Sequence, residues 1–377
     1  MTATTALPSS PAVMRPGNRF SRRRRAARLL RKQKRLRVLI LCDPEFIPPP
    51  ESHGMSEAEL AAAKWKMEYD VFATLYNVGH EVRVAGVHDD LSVIKSAVDE
   101  FKPHVAFNML EGFRNFHCFD QHVVSYLELI QQPYTGCNPR GLTLARDKAV
   151  TKKILAYHRI KVPAFAVFPR RRPVSKPRRL PFPLMVKSVN VEGSVGIAQA
   201  SIVRDEEQLR ERVRLIHETL DTSAIAEQFV EGREIYVGVI GNQRLKSFPP
   251  WEMVFDKAPD DMPVIATNKA KFDLAYQKRW GITTRAASEA GLPEGFAATA
   301  DRLSKKIYRL LGLTGYARLD YRMTDTGDLY LLEANPNPQL GFGEDFAESA
   351  EAAGVHYEQL IQQIVNLALA YNPLSLS

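Results

Sequence analysis

The chain has 377 residues, of which 45% are hydrophobic and 25% are charged. This composition is typical of a folded, water-soluble protein, and no apolar run approaches the ~20 residues that a membrane helix needs, which excludes a membrane protein. The three cysteines, Cys42, Cys118 and Cys137, form no C-x-x-C pair, which argues against a disulfide framework or a structural zinc site and favours a reducing cytoplasm.

The net charge of +8 comes from the N-terminal tail. Residues 1–37 contain 12 Arg and Lys residues and no acid, so the rest of the chain has 39 basic against 43 acidic residues. We predict that this Ser-, Pro- and Arg-rich tail is disordered, either as a solvated tail or as a segment resembling an organelle transit peptide. Only the tail could attract nucleic acid, and then weakly, because the remainder of the chain is acidic.

Strands and helices alternate through the first ordered part of the chain. The predicted elements are a strand at 36–42, a helix at 57–78, strands at 81–87 and 104–109, and a helix at 120–131. Gly79 is placed to end the first helix as a C-cap. Because this alternation is typical of a parallel sheet covered by helices, we predict an N-terminal α/β domain at 38–144.

A second unit is predicted at 145–232. Its elements are helices at 148–158 and 206–220, and strands at 165–168, 184–188, 197–203 and 224–230. Asp205 is placed to cap the second helix. The basic, proline-bounded segment 169–181 is predicted to be an exposed loop without a chemical role.

The last unit is predicted at 233–377. Its elements are a strand at 233–240, a helix at 297–311, a hairpin of strands at 316–323 and 329–333, and a helix at 357–371. The stretch 249–285 shows no clear pattern, so we predict a long irregular loop. Loops of this length are usually lids or binding loops.

The hairpin carries the strongest chemical pattern. With a four-residue loop at 324–327, Met323 pairs with Asp328 and Arg318 pairs with Glu333. Because side chains alternate between faces along a strand, each face carries a different set. The apolar face carries Leu319, Tyr321, Tyr330 and Leu332, and the polar face carries Arg318, Asp320, Glu333 and Asn335.

The polar face predicts a metal site. Oxygen ligands from Asp320, Glu333 and Asn335 suit Mg²⁺, and a bridging Glu333 suits two ions, with Mn²⁺ as an alternative. Arg318 could neutralise charge on a phosphoryl oxygen. The competing interpretation is a surface hairpin with ordinary polar residues facing outward, which the Glu-Ala-Asn-Pro-Asn-Pro run starting at Glu333 disfavours.

Two further segments could contact a nucleotide. Lys187 ends a strand, and Gly193, Ser194 and Gly196 follow in a turn whose N–H groups could hold phosphate, although a plain glycine turn has the same pattern. In the second segment a strand could offer backbone groups to adenine, and Glu234 beyond it could accept from ribose hydroxyls. That strand contains Glu227, Gln228, Phe229 and Val230, and an ordinary strand–turn–strand explains it equally well.

In this order and spacing, the three segments resemble the ATP-grasp superfamily. The sequence is more closely similar to the D-alanine–D-alanine ligases from about Val38 to the C-terminus, through Phe107-Asn108, the run 133–136 and Asp147-Lys148. The resemblance implies a parallel-sheet α/β domain followed by a two-subdomain ATP-grasp fold, with a closing loop at about 249–285. It implies ATP-dependent joining of a carboxylate to an amine through an acyl phosphate.

The resemblance also implies roles for individual residues. Lys148 and Lys187 would bind ATP phosphates, and Ser194 in the glycine turn would cover them. Lys271 would reach the γ-phosphate, and Arg318 would lie at the transferred phosphoryl group. Adenine, ribose and Mg²⁺ would be held by the residues already named for them.

The substrate side departs from the family pattern. Glu111 stands where the family has a histidine, and Asn115 to Cys118 replace a Gly-Glu-Asp-Gly run, although Gln121 persists. Glu344 stands where the family has a substrate-binding serine, and an acid there favours an amine or a cation over a carboxylate. Asp43 and Glu45 occupy the N-terminal turn and are further candidate contacts.

We therefore expect a cytoplasmic ligase for amino acids, a short peptide or another amine. Analogy with related enzymes suggests a homodimer. One alternative is a ligase that adds an amino acid to a peptide. Another is an ATP-binding regulator without activity, which the presence of Asp320, Glu333 and Asn335 disfavours.

Overall fold

The computed structural model describes residues 34–191, 197–259, 262–287 and 292–375. The predicted tail at 1–37 lies almost wholly outside these residues, and so does the predicted glycine turn with Gly193, Ser194 and Gly196. The described strands form three sheets, and helices pack on each of them.

The first sheet is parallel, as the alternation of strands and helices predicts. Its strands are β1 (Arg37–Cys42), β2 (Glu81–Gly86) and β3 (Val105–Asn108), in the order β2-β1-β3. Residues 38–42 of β1 are at most 1% exposed, because helices cover both faces of the sheet.

Four helices accompany this sheet: α1 (Glu57–Ala62), α2 (Lys66–Val78), α3 (Ser92–Phe101) and α4 (Asp120–Leu129). The prediction of a single helix at 57–78 is wrong, because the backbone adopts an extended conformation at Ala63 and ends α1 there. Trp65 packs edge-on against Tyr69, and Leu60 joins this small cluster, so α1 folds back onto α2. Gly79 ends α2 with φ 108°, as predicted.

The second sheet is antiparallel. It contains β4 (Phe165–Phe168), β5 (Leu184–Ser188), β6 (Ile202–Val203) and β7 (Ala224–Gln228), in the order β4-β7-β5-β6. This part of the chain also contains three helices: α5 (Pro139–Arg146), α6 (Lys148–Tyr157) and α7 (Glu206–Thr219). Of these, α7 packs on the sheet. Asp205 caps α7 as predicted. The strand predicted at 197–203 is wrong over most of its length, because 199–201 form a short 3₁₀ turn.

The third sheet is also antiparallel. Its strands are β8 (Arg233–Ile240), β9 (Lys246–Ser247), β10 (Trp251–Phe255), β11 (Ile282–Ala286), β12 (Tyr316–Met323) and β13 (Leu329–Pro336). The main path is β11-β10-β8-β12-β13, and β9 pairs with β8. The remaining helices are α8 (Asn268–Phe272), α9 (Leu274–Trp280), α10 (Phe296–Leu310), α11 (Asp345–Ala352) and α12 (Tyr357–Ala370).

The irregular loop predicted at 249–285 is wrong, because this stretch contains β10, β11, α8 and α9. Tyr236, Met253, Ala270 and Ile282 form an apolar cluster that holds these short elements together. Elements of five to seven residues are too short to give a clear period in the sequence. The division of the chain at 144 and at 232 stays a prediction.

The last helix ties the end of the chain to its beginning. Leu360, Ile361 and Ile364 of α12 share an apolar cluster with Val38 of β1 and Phe72 of α2. The same cluster contains Ile240 of β8 and Tyr316 of β12, so the first and third sheets are joined through it. In the part of the chain that the structure describes, no helix combines the length and apolarity needed to cross a membrane.

Candidate active site

The hairpin of β12 and β13 brings two carboxylates, an amide and a guanidinium together. Asp320 lies opposite Glu333, and Arg318 lies opposite Asn335. Arg318 Nε and Nη2 donate to Asp320 Oδ1 and Oδ2 at 2.8 and 2.9 Å. Asn335 Nδ2 donates to Asp320 Oδ2 at 2.9 Å and to Glu333 Oε1 at 3.4 Å. The four side chains of the predicted polar face thus meet at one point.

The predicted strand register is wrong, although the convergence holds. Arg318 pairs with Asn335 instead of Glu333, and the register shifts again between Asp320 and Tyr321. The loop has five residues, 324–328, and Gly327 takes φ 81° in it. The extra residue lies in β13, between Glu333 and Leu331, whereas β12 keeps an unbroken register with β8. Because a bulge inserts one residue into one strand, it moves the side chains beyond it in that strand to the other face.

The register error changes the apolar face. Leu329 and Leu331 are buried in the core, where Tyr330 and Leu332 were predicted. Leu332 instead lines a cavity beside Asp320 and Arg322. The bulge therefore gives the site one apolar wall that the sequence pattern assigned to the core.

The two carboxylates differ in charge behaviour. Burial raises the pKa of Glu333, but nearby cations outweigh it and hold the pKa well below its usual range. These cations are Lys148, Lys187, Lys271 and Arg318. Burial raises the pKa of Asp320, and Glu333 adds to this, so the pKa stays raised although Arg318 opposes it. Glu333 is thus firmly ionised, whereas the ionised form of Asp320 would be stabilised by an added cation.

The donor set fits a hard dication. Among the described residues, no three His, Cys, Asp or Glu side chains group as a metal site. A site here therefore needs the Asn335 amide as its third oxygen donor, which Mg²⁺ accepts. In the structure this amide turns its NH₂ group toward the carboxylates, so a half-turn of the amide would present the oxygen.

Buried lysines lie beside the hairpin. Glu227, which is 2% exposed, lies between Lys187 Nζ at 3.1 Å and Lys152 Nζ at 3.3 Å. Lys148 Nζ lies 3.7 Å from Glu333 Oε2 and donates to the Val191 carbonyl at 2.8 Å. Three buried ammonium groups need anionic partners, and the phosphate oxygens of a nucleotide could supply them.

The pKa values of the buried triad follow its geometry. Burial raises the pKa of Glu227, but Lys152 and Lys187 outweigh it and lower the pKa. Burial lowers the pKa of Lys152 to about 8 although Glu227 opposes this. For Lys187 the attraction of Glu227 and Glu333 outweighs burial, and its pKa is raised.

Glu234 is held by a second buried ion pair. Arg322 Nη2 lies 3.1 Å from Glu234 Oε2, and the Tyr236 hydroxyl donates to Glu234 Oε1 at 3.0 Å. Arg322 Nη1 also donates to the carbonyls of Gly232 and Val264. The carboxylate that was predicted to accept from a ribose is thus fixed in orientation before any ligand binds.

The segment 227–230 runs along the same cavity. The backbone N–H of Gln228 donates to the Ala164 carbonyl at 2.7 Å, and that of Phe229 donates to the Pro183 carbonyl at 3.0 Å. Neither N–H group is therefore available to a base. The carbonyl groups and Val230 remain as candidate contacts for adenine.

Two cavities meet at the hairpin. Glu227, Val230, Glu234 and Arg322 line the smaller one. The larger one measures about 530 Å³ and lies between the first and third sheets, with Asn108 and Tyr316 in its wall. Lys271 in α8 and Glu333 line both cavities. Two molecules, one bound in each cavity, would therefore come close to each other beside Lys271 and Glu333.

Sequence reasoning missed two charged residues of the site. Lys152 follows Lys148 by one helical turn, and that spacing could have placed both on one face of α6. Arg322 follows Arg318 and Asp320 at intervals of two, and the alternation of a strand could have placed it on the same face. Their partners, Glu227 and Glu234, lie far away in sequence.

The substrate-side candidates separate into two groups. Glu111 and Glu344 line the larger cavity. Asp43 instead pairs with His88 at 3.0 Å, Glu45 pairs with Lys64 at 3.2 Å, and neither lines that cavity.

Sequence comparison identifies relatives. The model of the D-ala D-ala ligase C-terminus matches residues 154–366. A D-alanine–D-alanine ligase of Streptococcus pneumoniae is 30% identical over 285 residues, which cover 74% of this chain and 76% of that protein. An uncharacterized protein, y4sG, of Sinorhizobium fredii is 26% identical over 344 residues, which cover 88% of this chain and 97% of that protein.

Solved structures share the fold. The D-alanine–D-alanine ligase of Bacillus anthracis in complex with ATP matches with a TM-score of 0.68 at 22% identity, over 89% of this chain and 98% of that chain. The VanG D-Ala:D-Ser ligase of Enterococcus faecalis matches with a TM-score of 0.65 at 16% identity, over 89% of this chain and 100% of that chain. The predicted fold class, an α/β domain followed by an ATP-grasp fold, is confirmed.

Proposed function

The chain belongs to the family of the D-alanine–D-alanine ligases, which are ATP-dependent carbon–nitrogen ligases, and we propose that it joins a carboxylate to an amine through an acyl phosphate. The observation that carries this proposal is the junction of the two cavities at Lys271 and Glu333. A nucleotide in the smaller cavity would present its γ-phosphate there, next to a substrate in the larger one.

The smaller cavity is suited to ATP. The backbone at 227–230 would hold adenine, and Glu234 would accept from the ribose hydroxyls, because Arg322 already fixes its carboxylate. Lys148 and Lys187 would neutralise the phosphates. The turn with Gly193, Ser194 and Gly196 would cover the phosphates, as the family resemblance implies.

Asp320, Glu333 and Asn335 would hold two Mg²⁺ ions, with Mn²⁺ as a substitute. The metal would neutralise the phosphate oxygens and orient the γ-phosphate. Lys271 and Arg318 would add positive charge at the transferred phosphoryl group, where charge develops in the transition state.

The reaction would have two steps. A substrate carboxylate attacks the γ-phosphorus, the bond to the β–γ bridging oxygen breaks, and ADP leaves with an acyl phosphate formed. A neutral amine then attacks the acyl carbon, the carbon–nitrogen bond forms, and phosphate leaves with the electron pair of the broken carbon–oxygen bond. The nitrogen loses one proton to the departing phosphate or to solvent, which leaves a neutral amide. The chain's own contribution is positioning, charge neutralisation and exclusion of water from the acyl phosphate.

The substrates would be small amino acids, a short peptide or another amine. Glu111 and Glu344 make the larger cavity acidic, which favours an altered substrate over D-alanine alone. A ligase that extends a peptide remains the second candidate, because the cavity of about 530 Å³ is within the range of sites for larger ligands.

Hydroxylamine trapping tests this proposal. The purified protein, ATP and Mg²⁺ are incubated with hydroxylamine and single carboxylates, D-alanine included, and ADP and hydroxamate are measured. An activated carboxylate gives one hydroxamate for each ADP, because hydroxylamine intercepts the acyl phosphate.

Glu333→Gln is the matched inactive control, because it removes a proposed metal ligand without changing shape. ATP binding without hydroxamate from any carboxylate would contradict the ligase and support a regulator.

A further inference from the structure

The larger cavity is acidic at the end formed by α2, the residues after β3 and the start of α11. Glu111 and Glu344 line it, with Asp345 beside them. Glu68 and Asp70 of α2 lie buried behind this wall, at 3% and 6% exposure. Five carboxyl groups from three separate parts of the chain thus surround one end of the cavity.

The cations at this end are already occupied. Lys66 Nζ pairs with Asp70 Oδ2 at 3.0 Å and donates to the Phe342 carbonyl at 2.5 Å. Arg318 makes a bidentate hydrogen bond to Asp320, and its Nη1 lies 3.7 Å from Asp345 Oδ2.

Glu344 is therefore left without a direct partner. Among the described residues, its carboxylate makes no hydrogen bond or ion pair. Burial raises the pKa of Glu344, and Asp345 and Asp70 add to this, although Lys66 and Arg318 oppose it. Glu68 behaves in the same way. Burial raises its pKa to about 7, and the nearby charge of Glu111 contributes to this shift. The two cations at this end, Lys66 and Arg318, are thus outnumbered by its carboxyl groups, and each is already bound to another carboxylate.

The walls between these acids are apolar. Leu340 and Phe346 are 1% exposed and, with Met67, line the cavity next to Glu344. An acid at the end of an apolar wall suits an alkyl chain that ends in an ammonium group. A carboxylate there would instead face like charge from Glu344 and Glu111.

We propose that the amine substrate is a diamine-like molecule: an alkylamine that carries a second ammonium group, which binds between Glu344 and Glu111, and no carboxylate at that end. This inference rests on the proposed ligase function and names the class of its acceptor. The reacting nitrogen enters as a neutral amine and forms the amide bond, and its proton leaves with phosphate or solvent. The second ammonium stays protonated and takes no part in bond formation.

Equilibrium binding tests this without turnover. Putrescine, n-butylamine and γ-aminobutyrate share a four-carbon amine and differ at the far end, which is an ammonium, a methyl and a carboxylate group. With ADP and Mg²⁺ present, titration calorimetry should show putrescine binding about tenfold more tightly than n-butylamine, with γ-aminobutyrate weakest.

Two variants locate the effect. Glu344→Gln should remove the preference for putrescine, and Glu111→Gln should reduce it. Glu351→Gln is the matched control, because it removes one acid from the same helix at an exposed position paired with His356, and it should bind all three probes as the parent does. Equal binding of the three probes, tightest binding of γ-aminobutyrate, or an unchanged preference in Glu344→Gln would each overturn the proposal.

Hydroxylamine trapping separates this inference from the ligase function, because it needs no amine substrate. Hydroxamate formation without a putrescine preference would keep the ligase and overturn the diamine acceptor. A Glu344-dependent putrescine preference without hydroxamate would overturn the ligase and the acceptor role together, and would leave a cation-binding site.

Discussion

The buried triad of Lys152, Glu227 and Lys187 gives the sharpest test of the site's energetics. Replacing Glu227 with Gln keeps the shape and leaves two buried ammonium groups, both at most 7% exposed, without their shared anion. Removing one partner of a buried ion pair costs about 3–5 kcal/mol, so we expect the free energy of unfolding to fall by that amount.

The triad also predicts how a second substitution acts. Lys152→Met alone leaves Lys187 and Glu227 as a balanced pair at 3.1 Å, so it should cost less than Glu227→Gln. In the double variant Lys187 keeps the attraction of Glu333 and is no longer repelled by Lys152. The double variant should therefore be more stable than the sum of the single effects predicts, by about 1–3 kcal/mol.

Urea unfolding without nucleotide, followed by circular dichroism and tryptophan fluorescence, measures these energies. Glu100→Gln is the control, because it breaks an exposed ion pair with Arg83 at 2.7 Å and should cost at most about 1 kcal/mol. Additivity of the two triad substitutions within about 0.5 kcal/mol would refute the reasoning, because it would mean that water or other groups screen the triad.

Three further predictions concern the site and the fold. Arg318→Lys keeps the charge but loses the two-pronged hydrogen bond to Asp320, so kcat should fall about 100-fold while the circular dichroism spectrum is unchanged. Gly232→Ala should lower the free energy of unfolding by about 1–3 kcal/mol in urea titration, because φ is +131° and the new Cβ would lie 2.0 Å from the Met323 carbonyl oxygen. Burial lowers the pKa of His80, so the folded state stays neutral while the unfolded state takes up a proton, and stability should be lost as the pH falls below about 6.5. His80→Gln should weaken that loss in unfolding curves recorded between about pH 7 and pH 5.

Each of these predictions has a contradicting result. Full activity of Arg318→Lys would show that charge alone suffices at this position. A Gly232→Ala variant as stable as the parent would mean that the turn between β7 and β8 moves freely. An acid-induced loss of stability that is unchanged in His80→Gln would assign it to carboxylates instead.

The local chemistry of the site was readable from the sequence because it depends on short-range periodicity. Alternation along two strands places Arg318, Asp320, Glu333 and Asn335 on one face whatever the exact register. Asp205 as a helix cap and Gly79 as a helix end follow from hydrogen bonding and backbone sterics within a few residues. The parallel first sheet followed from alternating strand and helix patterns.

Features that depend on distant neighbours were not readable. The bulge beside Asp320 changes the apolar face of the hairpin, and no local pattern indicates it. The helix break near Ala63 depends on how Trp65 packs against Tyr69. The short elements within 249–285 are held by contacts between β8, β10 and α8, so their own sequence showed no period.

By itself, the sequence determined which groups are available for chemistry: the carboxylates and amide of the hairpin, the lysines and the acids at Glu111 and Glu344. The tertiary structure decided which of them interact. It placed Glu227 between Lys152 and Lys187, joined Glu234 to Arg322, and opened two cavities that meet at Lys271 and Glu333. The physical reason is that charge interactions and burial depend on distance in space. These partners are brought within 4 Å by the pairing of strands that are distant in sequence and by the position of α6 beside the second sheet.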